Sequence, residues 1–212
     1  MEAEFVELCS DGDLEGVWDA LLSGVDVNSK GRFGYTGLMW ALLNSHTAVA
    51  SFLLEQEGLD IDIVSDCHDM TALWLAAVND QNSECLALIL AKSTSVNQVG
   101  AMGRTALWEA VNYNAVRCVL LLLSDERTEP NIKDNEGDTP LMRAVNNNHV
   151  ACVELLLSDE RTDPNKDNDG DSPLMWAVKR NDVACVEVLL ADPRVDLMTR
   201  DNYKRDEEEV TR

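Results

Sequence analysis

The sequence has no long apolar run. Its longest are short, such as Val119 to Leu123, far from the ~20 residues a helix needs to cross a bilayer. Positive charge is scarce: 17 Lys and Arg stand against 39 Asp and Glu, a net charge of −22. That argues against a nucleic-acid backbone or an anionic membrane surface as the main partner, since both are held by basic side chains. The start, Met1-Glu2-Ala3-Glu4, is acidic where a secretory signal would be basic, and Glu2 excludes N-myristoylation. No Asn-x-Ser/Thr acceptor occurs. These absences point to an intracellular protein, cytoplasmic with the nucleus as the alternative, and not secreted.

Catalytic and metal signatures are also missing. There are three His, no Cys-x-x-Cys pair, no Gly-x-Ser-x-Gly elbow and no Walker loop. Asn165 to Gly170 loosely fits the start of a calcium loop, but Trp176 occupies the position that needs a bidentate Glu. Disorder is equally unsupported: 45% of the 212 residues are hydrophobic, enough for a sizeable core in one domain or two small ones.

What is present is a repeat. TGLMWAL from Thr36, TALWLAA from Thr71, TALWEAV from Thr105, TPLMRAV from Thr139 and SPLMWAV from Ser172 start 35, 34, 34 and 33 residues apart. An apolar run follows each of the last four, with Cys85, Cys118, Cys152 and Cys185 in one slot. A third motif ends at Asn28, Asn97, Asn131 and Asn165. Each unit reads as two short helices and a turn. Thr or Ser caps the first helix, and Pro140 and Pro173 sit at its first position, where a missing N–H costs nothing. Asn, Asp and Gly clusters between units are turn chemistry. One unit cannot bury its apolar face alone, so the units must stack around a continuous core. Cysteines in one slot of helices about 8–10 Å apart are too distant for disulfides. They read as small buried apolar residues, with Cys9 and Cys67 less constrained and Cys67 in a turn beside His68.

The pattern resembles the ankyrin repeat, whose signature is Thr-Pro-Leu-His-x-Ala at a period of about 33. The resemblance implies an all-α solenoid of helix-turn-helix units with β-hairpin-like fingers. Residues 1–29 resemble an N-terminal capping repeat, followed by units at about 30–64, 65–98, 99–132, 133–165 and 166–198. Asp201 to Arg205 begins another turn, but Asp206 to Glu209 replaces the next helix start, so 201–212 reads as an acidic tail or the start of a truncated repeat. Two departures stand out. The signature His, which in the family bonds the neighbouring loop backbone, is replaced by Met39, Trp74, Trp108, Met142 and Met175. Apolar packing is expected to replace its hydrogen bond. The last three outer loops (SDERTEPN, SDERTDPN, ADPRVDLM) are longer than the family's usual form. His46 and His149 fall in the turn joining the two helices and read as structural.

The resemblance also implies a concave face, built from the fingers and the exposed side of each first helix, where specificity lies. The finger residues singled out are Arg32, Phe33, Tyr35, His68, Met70, Met102, Arg104, Glu136, Asp138, Asp169 and Asp171. From the first helices come Trp40, Leu75, Glu109, Tyr113, Arg143 and Trp176. The N-terminal half of this set is aromatic and apolar, and the C-terminal fingers are acidic. Phe33 and Tyr35 are expected to be exposed because they lie in a turn. The expected function is a non-catalytic interaction module (adaptor, scaffold or inhibitor) that holds a protein or peptide, with a basic segment facing the acidic fingers, and needs no cofactor. Monomers are common among such stacks. The alternative is a regulatory domain of a larger signalling, channel or ubiquitin-ligase protein; further off lies a small-ligand binder or an enzyme. Asn28 is the residue nearest to an asparaginyl hydroxylation site of the family.

Overall fold

The computed structural model describes residues 1–165 and 172–197. Among these residues the chain forms twelve α-helices in six antiparallel-connected pairs. They are α1 (Glu2–Asp11) with α2 (Leu14–Leu22), α3 (Gly37–Leu43) with α4 (Thr47–Leu54), and α5 (Ala72–Ala77) with α6 (Ser83–Lys92). Then follow α7 (Ala106–Asn112) with α8 (Val116–Ser124), α9 (Pro140–Asn146) with α10 (Val150–Ser158), and α11 (Pro173–Arg180) with α12 (Val183–Ala191). Odd-numbered helices contact one another in succession and form an inner row; even-numbered helices form an outer row.

Local chemistry explains where the inner helices begin. The Thr36, Thr71, Thr105, Thr139 and Ser172 side chains accept the backbone N–H of the residue three further on. Thr139 is buried, and its oxygen accepts from Met142 N–H at 3.2 Å. Thr139→Ala is therefore expected to lower stability by about 1 kcal/mol, read as a shift of the denaturation midpoint with an unchanged slope. The core runs unbroken through the stack. It is made of the Leu, Val and Ala of both rows together with Cys9, Cys85, Cys118, Cys152 and Cys185, all fully buried. All six cysteines are free thiols. Burial pushes the Cys9 and Cys118 thiols up to about 12, so they behave as apolar filling.

The outer loops are stitched by two ladders. Asn28, Asn97, Asn131 and Asn165 each donate to a carbonyl of the next unit's loop, at Gly58, Arg127, Arg161 and Arg194. Each also accepts from a backbone N–H there, at Asp60, Glu129, Asp163 and Asp196. Asp62 takes this place after the second helix pair. A carboxylate cannot donate, and the next loop supplies hydroxyls instead, from Ser93 at 2.6 Å and Thr94 at 2.7 Å. The second ladder explains the lengthened loops. Arg127, Arg161 and Arg194 grip their own Asp125, Asp159 and Asp192. Each reaches back to the last carbonyls of the preceding outer helix, at Leu90, Leu123 and Leu157. Lys92 does the same for Leu54 without a carboxylate.

Candidate functional site

Each finger is closed at its base by a backbone bond: Gly31 N–H to Tyr35, Ser65 to Met70, Gly100 to Arg104 and Asp134 to Asp138. Only the first also carries a β-bridge, Lys30 with Thr36, and no strand forms among the described residues. Consecutive fingers are joined tip to base. The carbonyls of Phe33, His68 and Met102 accept from the N–H groups of Asp66, Ala101 and Asn135. Phe33, His68 and Met102 have φ of 62°, 73° and 67°. That left-handed backbone costs a non-glycine residue roughly 1–2 kcal/mol. It turns the carbonyl toward the next finger and the side chain away from the core.

At the N-terminal end this geometry gathers Arg32, Phe33, Tyr35, Trp40 and Met70. The Arg32 guanidinium lies 5.2 Å from the Phe33 ring. Phe33 meets Tyr35 edge-on at 6.4 Å, and Tyr35 tilts against Trp40 at 5.3 Å. The Tyr35 hydroxyl reaches Met70 Sδ at 3.1 Å. Phe33 is exposed, but Tyr35 is only 8% exposed. The expectation for Tyr35 is thus corrected: Trp40 and the second finger cover it despite its place in a turn. Burial, and then nearby Cys67, raises its phenol above the usual range. Trp40, half-buried, lines a shallow cavity of about 250 Å³ with Ala3, Val6, Glu7, Ser10, Gly31 and Arg32.

The centre is a charged knot around Trp108. Arg104 lies 4.0 Å and Arg143 4.9 Å from its ring centre. Arg104 Nη1 is 3.4 Å from Glu109 Oε1, and its Nε is 3.6 Å from Asp134 Oδ2. Arg143 Nε donates to Asn112 Oδ1 at 2.9 Å, and Asn112 donates to Glu109 Oε2 at 3.1 Å. Glu109 is buried. Burial raises its carboxyl, with Asn112, Arg104 and Arg143 opposing. Asp138 is raised by burial, then by the Asp134 and Glu136 carboxylates. Trp108 Nε1 donates to the Asp138 carbonyl at 3.2 Å. Here the bond to the neighbouring loop survives the loss of the signature His, contrary to the expectation of apolar packing alone. Trp74 Nε1 is buried without a partner, so at that unit packing does replace it.

Leu75, like Glu109, is buried and presents no surface for a ligand. Met102 and Tyr113 are exposed, as are His68 and Glu136, while Arg143 and Trp176 are half-buried. Asp169 and Asp171 lie outside the described residues, as do most of the loose calcium-loop match and the tail 201–212. His68 Nδ1 sits 2.8 Å from Cys67 Sγ. His46 and His149 bond the Ser10 and Val111 carbonyls and hold α1 to α3 and α7 to α9. The Asn28 amide is engaged on both sides. The described residues hold no cluster of three metal-ligating side chains, and none of their helices is long and apolar enough to cross a membrane.

No curated protein matches the chain. Among solved structures it is similar to an ankyrin repeat domain from Acinetobacter baumannii AYE, with a TM-score of 0.79 and 23% identity over 91% of this chain and 98% of that one. It is also similar to the human ASB11 ankyrin repeat domain, with a TM-score of 0.80 and 24% identity over 93% of this chain and 86% of that one. The family model of ankyrin repeats in three copies matches residues 5–99, 66–134 and 107–201. With capped helix pairs, stacked fingers and a shared core already in place, the chain belongs to the ankyrin repeat family.

Proposed function

We propose that the finger face binds a segment of another protein, with apolar anchors against the N-terminal half and Lys or Arg toward the acidic C-terminal fingers. One observation carries this reading. Phe33, Met102 and Tyr113 are all more than half exposed; Phe33 and Met102 sit at the same left-handed position of their fingers, Tyr113 ends the inner helix α7, and large apolar side chains left in water mark interaction sites. The cavity beside Trp40 supplies a concave seat at one end. Ankyrin repeat domains generally act in protein–protein interaction rather than catalysis, and the reading follows that general role. Six free thiols suit a reducing compartment, so the reading places the chain in the cytosol or the nucleus, as a monomer.

The test is affinity capture from cytosolic extract, followed by titration of the partner against a Phe33→Ser, Tyr113→Ser variant. Both residues are exposed, so the variant is expected to melt with the wild type while losing about tenfold or more in affinity. Equal affinity for both proteins would remove the finger face from the reading. Glu136→Gln with Asp138→Asn is expected to flatten the salt dependence of binding; an unchanged slope would remove the basic segment.

A further inference from the structure

The outer row carries an apolar stripe that the finger face does not explain. Leu14, Trp18 and Leu22 follow one another at every fourth position of α2, and they are 40%, 52% and 73% exposed. At that spacing they share one side of the helix. They are not needed for the core, because Val17 is the residue α2 buries completely and Ala20 and Leu21 pack beside it.

The repeat supplies an internal comparison. Aligned on the residues before each outer helix (Asp13, His46, Asn82, Ala115, His149 and Asp182), the Trp18 slot holds Ser51, Ala87, Leu120, Glu154 and Glu187 in the other five. The Leu22 slot holds Glu55, Ala91, Ser124, Ser158 and Ala191. Only α2 sets large apolar side chains in all three slots of the stripe. The patch continues onto the second unit, since the Trp18 ring stacks on Phe52 of α4 at 5.3 Å.

Charge narrows the occupant. Residues 1–29 contain eight Asp and Glu and no Lys or Arg, and residues 1–91 contain 16 Asp and Glu against Lys30 and Arg32. Glu15 and Asp19 flank the stripe on the same helix and are exposed. We infer that this stripe docks an amphipathic helix of a partner protein, with an apolar face flanked by Lys and Arg. Trp18 is the central anchor. The carboxylates of α2 draw in the basic flanks and fix the helix's orientation, as charge complementarity does at helix-in-groove contacts. An anionic membrane surface is disfavoured by the same charge.

The probe is a labelled synthetic peptide of about five helical turns, with Leu at helical spacing and Lys on both flanks, titrated by anisotropy against the full chain. A companion peptide carries Glu in place of Lys. The wild type is expected to bind the Lys peptide, more weakly as salt rises, and not the Glu peptide. Trp18→Glu and Leu22→Ser are each expected to weaken binding about tenfold. Both introduce the residue found in that slot elsewhere in the stack, so both are expected to fold. Phe33→Ser is expected to leave peptide binding unchanged, which separates this surface from the finger face. Equal binding by Trp18→Glu and wild type, or equal binding of both peptides, would overturn the proposal. So would sedimentation of the wild type as a dimer that Leu22→Ser returns to monomer, because the occupant would then be a second copy of this chain.

Discussion

Replacing Trp108 with alanine is expected to cost about 3–5 kcal/mol and to break unfolding into two steps. The ring is among the largest fully buried side chains of the chain. Its removal opens a cavity in the middle of the stack, leaves the Asp138 carbonyl without its indole donor and strips Arg104 and Arg143 of the ring they lie over. A repeat stack is held by nearest-neighbour interfaces. A loss this large at the α7–α9 junction therefore lets the units beyond it unfold first. Trp108→Met separates the contributions, because Met already fills that slot at Met142 and Met175. Methionine restores most of the volume but neither the N–H nor the π-face, and the expected cost is about 1–2 kcal/mol. Thermal unfolding followed by circular dichroism checks both variants. A single transition within about 1 kcal/mol of wild type for Trp108→Ala would show that the knot contributes little.

Arg161→Met is expected to lower stability by about 2 kcal/mol at neutral pH. The guanidinium donates to the Leu123 carbonyl at 2.6 Å, to Glu126 and Thr128 at 3.0 Å and to Asp125 at 3.2 Å. It also holds Asp159 at 2.6 Å. Ser124 Oγ donates to the Leu120 carbonyl at 2.8 Å, and Arg161 supplies the donor for Leu123, about one turn nearer the end of α8. About a third of the Arg161 side chain faces water, which keeps the cost to that of shared hydrogen bonds rather than a buried ion pair. The pH dependence has a definite sign. The hydrogen bond from Arg161 holds the Asp159 carboxyl below its ordinary range. Its contribution is therefore complete above the ordinary carboxylate pKa and is lost as pH falls through the lowered folded value. The gap in melting temperature between wild type and Arg161→Met is expected to narrow below about pH 4 without closing, because the carbonyl contacts do not titrate. A gap independent of pH would remove Asp159 from the account.

The repeat and its helices were legible because the signals are local. A Thr or Ser before each inner helix, Pro at its first position and the apolar spacing all act within a few residues. The ladders were legible only as recurring letters. Asn97 or Arg161 can be seen to recur, but its partners lie about thirty residues away, in the next or preceding unit. The lengthened loops thus read as a departure until the carbonyls they reach were placed. Exposure was the hardest property to read. Tyr35 and Phe33 belong to the same finger, yet one is covered by Trp40 and the other is not. Trp40, Leu75, Glu109 and Trp176 share a slot, yet what packs beside them buries two and leaves two half-covered. Trp18 is hidden in the sequence for the reverse reason. The first unit lacks the signature and gives no slot to compare until its helices are aligned on their starts.

The second and third fingers meet through the bond from the Ala101 N–H to the His68 carbonyl, whereas the outer side of the same step is riveted by Asp62 to Ser93 and Thr94 and by Lys92 to the Leu54 carbonyl. A step fastened tightly along its spine and lightly at its lips behaves like a leaf spring. It opens and closes at the lips far more readily than it twists or stretches at the back. The gap between those two fingertips can therefore widen or narrow around a guest while the core stays whole. Fit on that side becomes a matter of compliance, adjusted by a hydrogen bond at a time, and the spacing of the outer helices remains a fixed ruler.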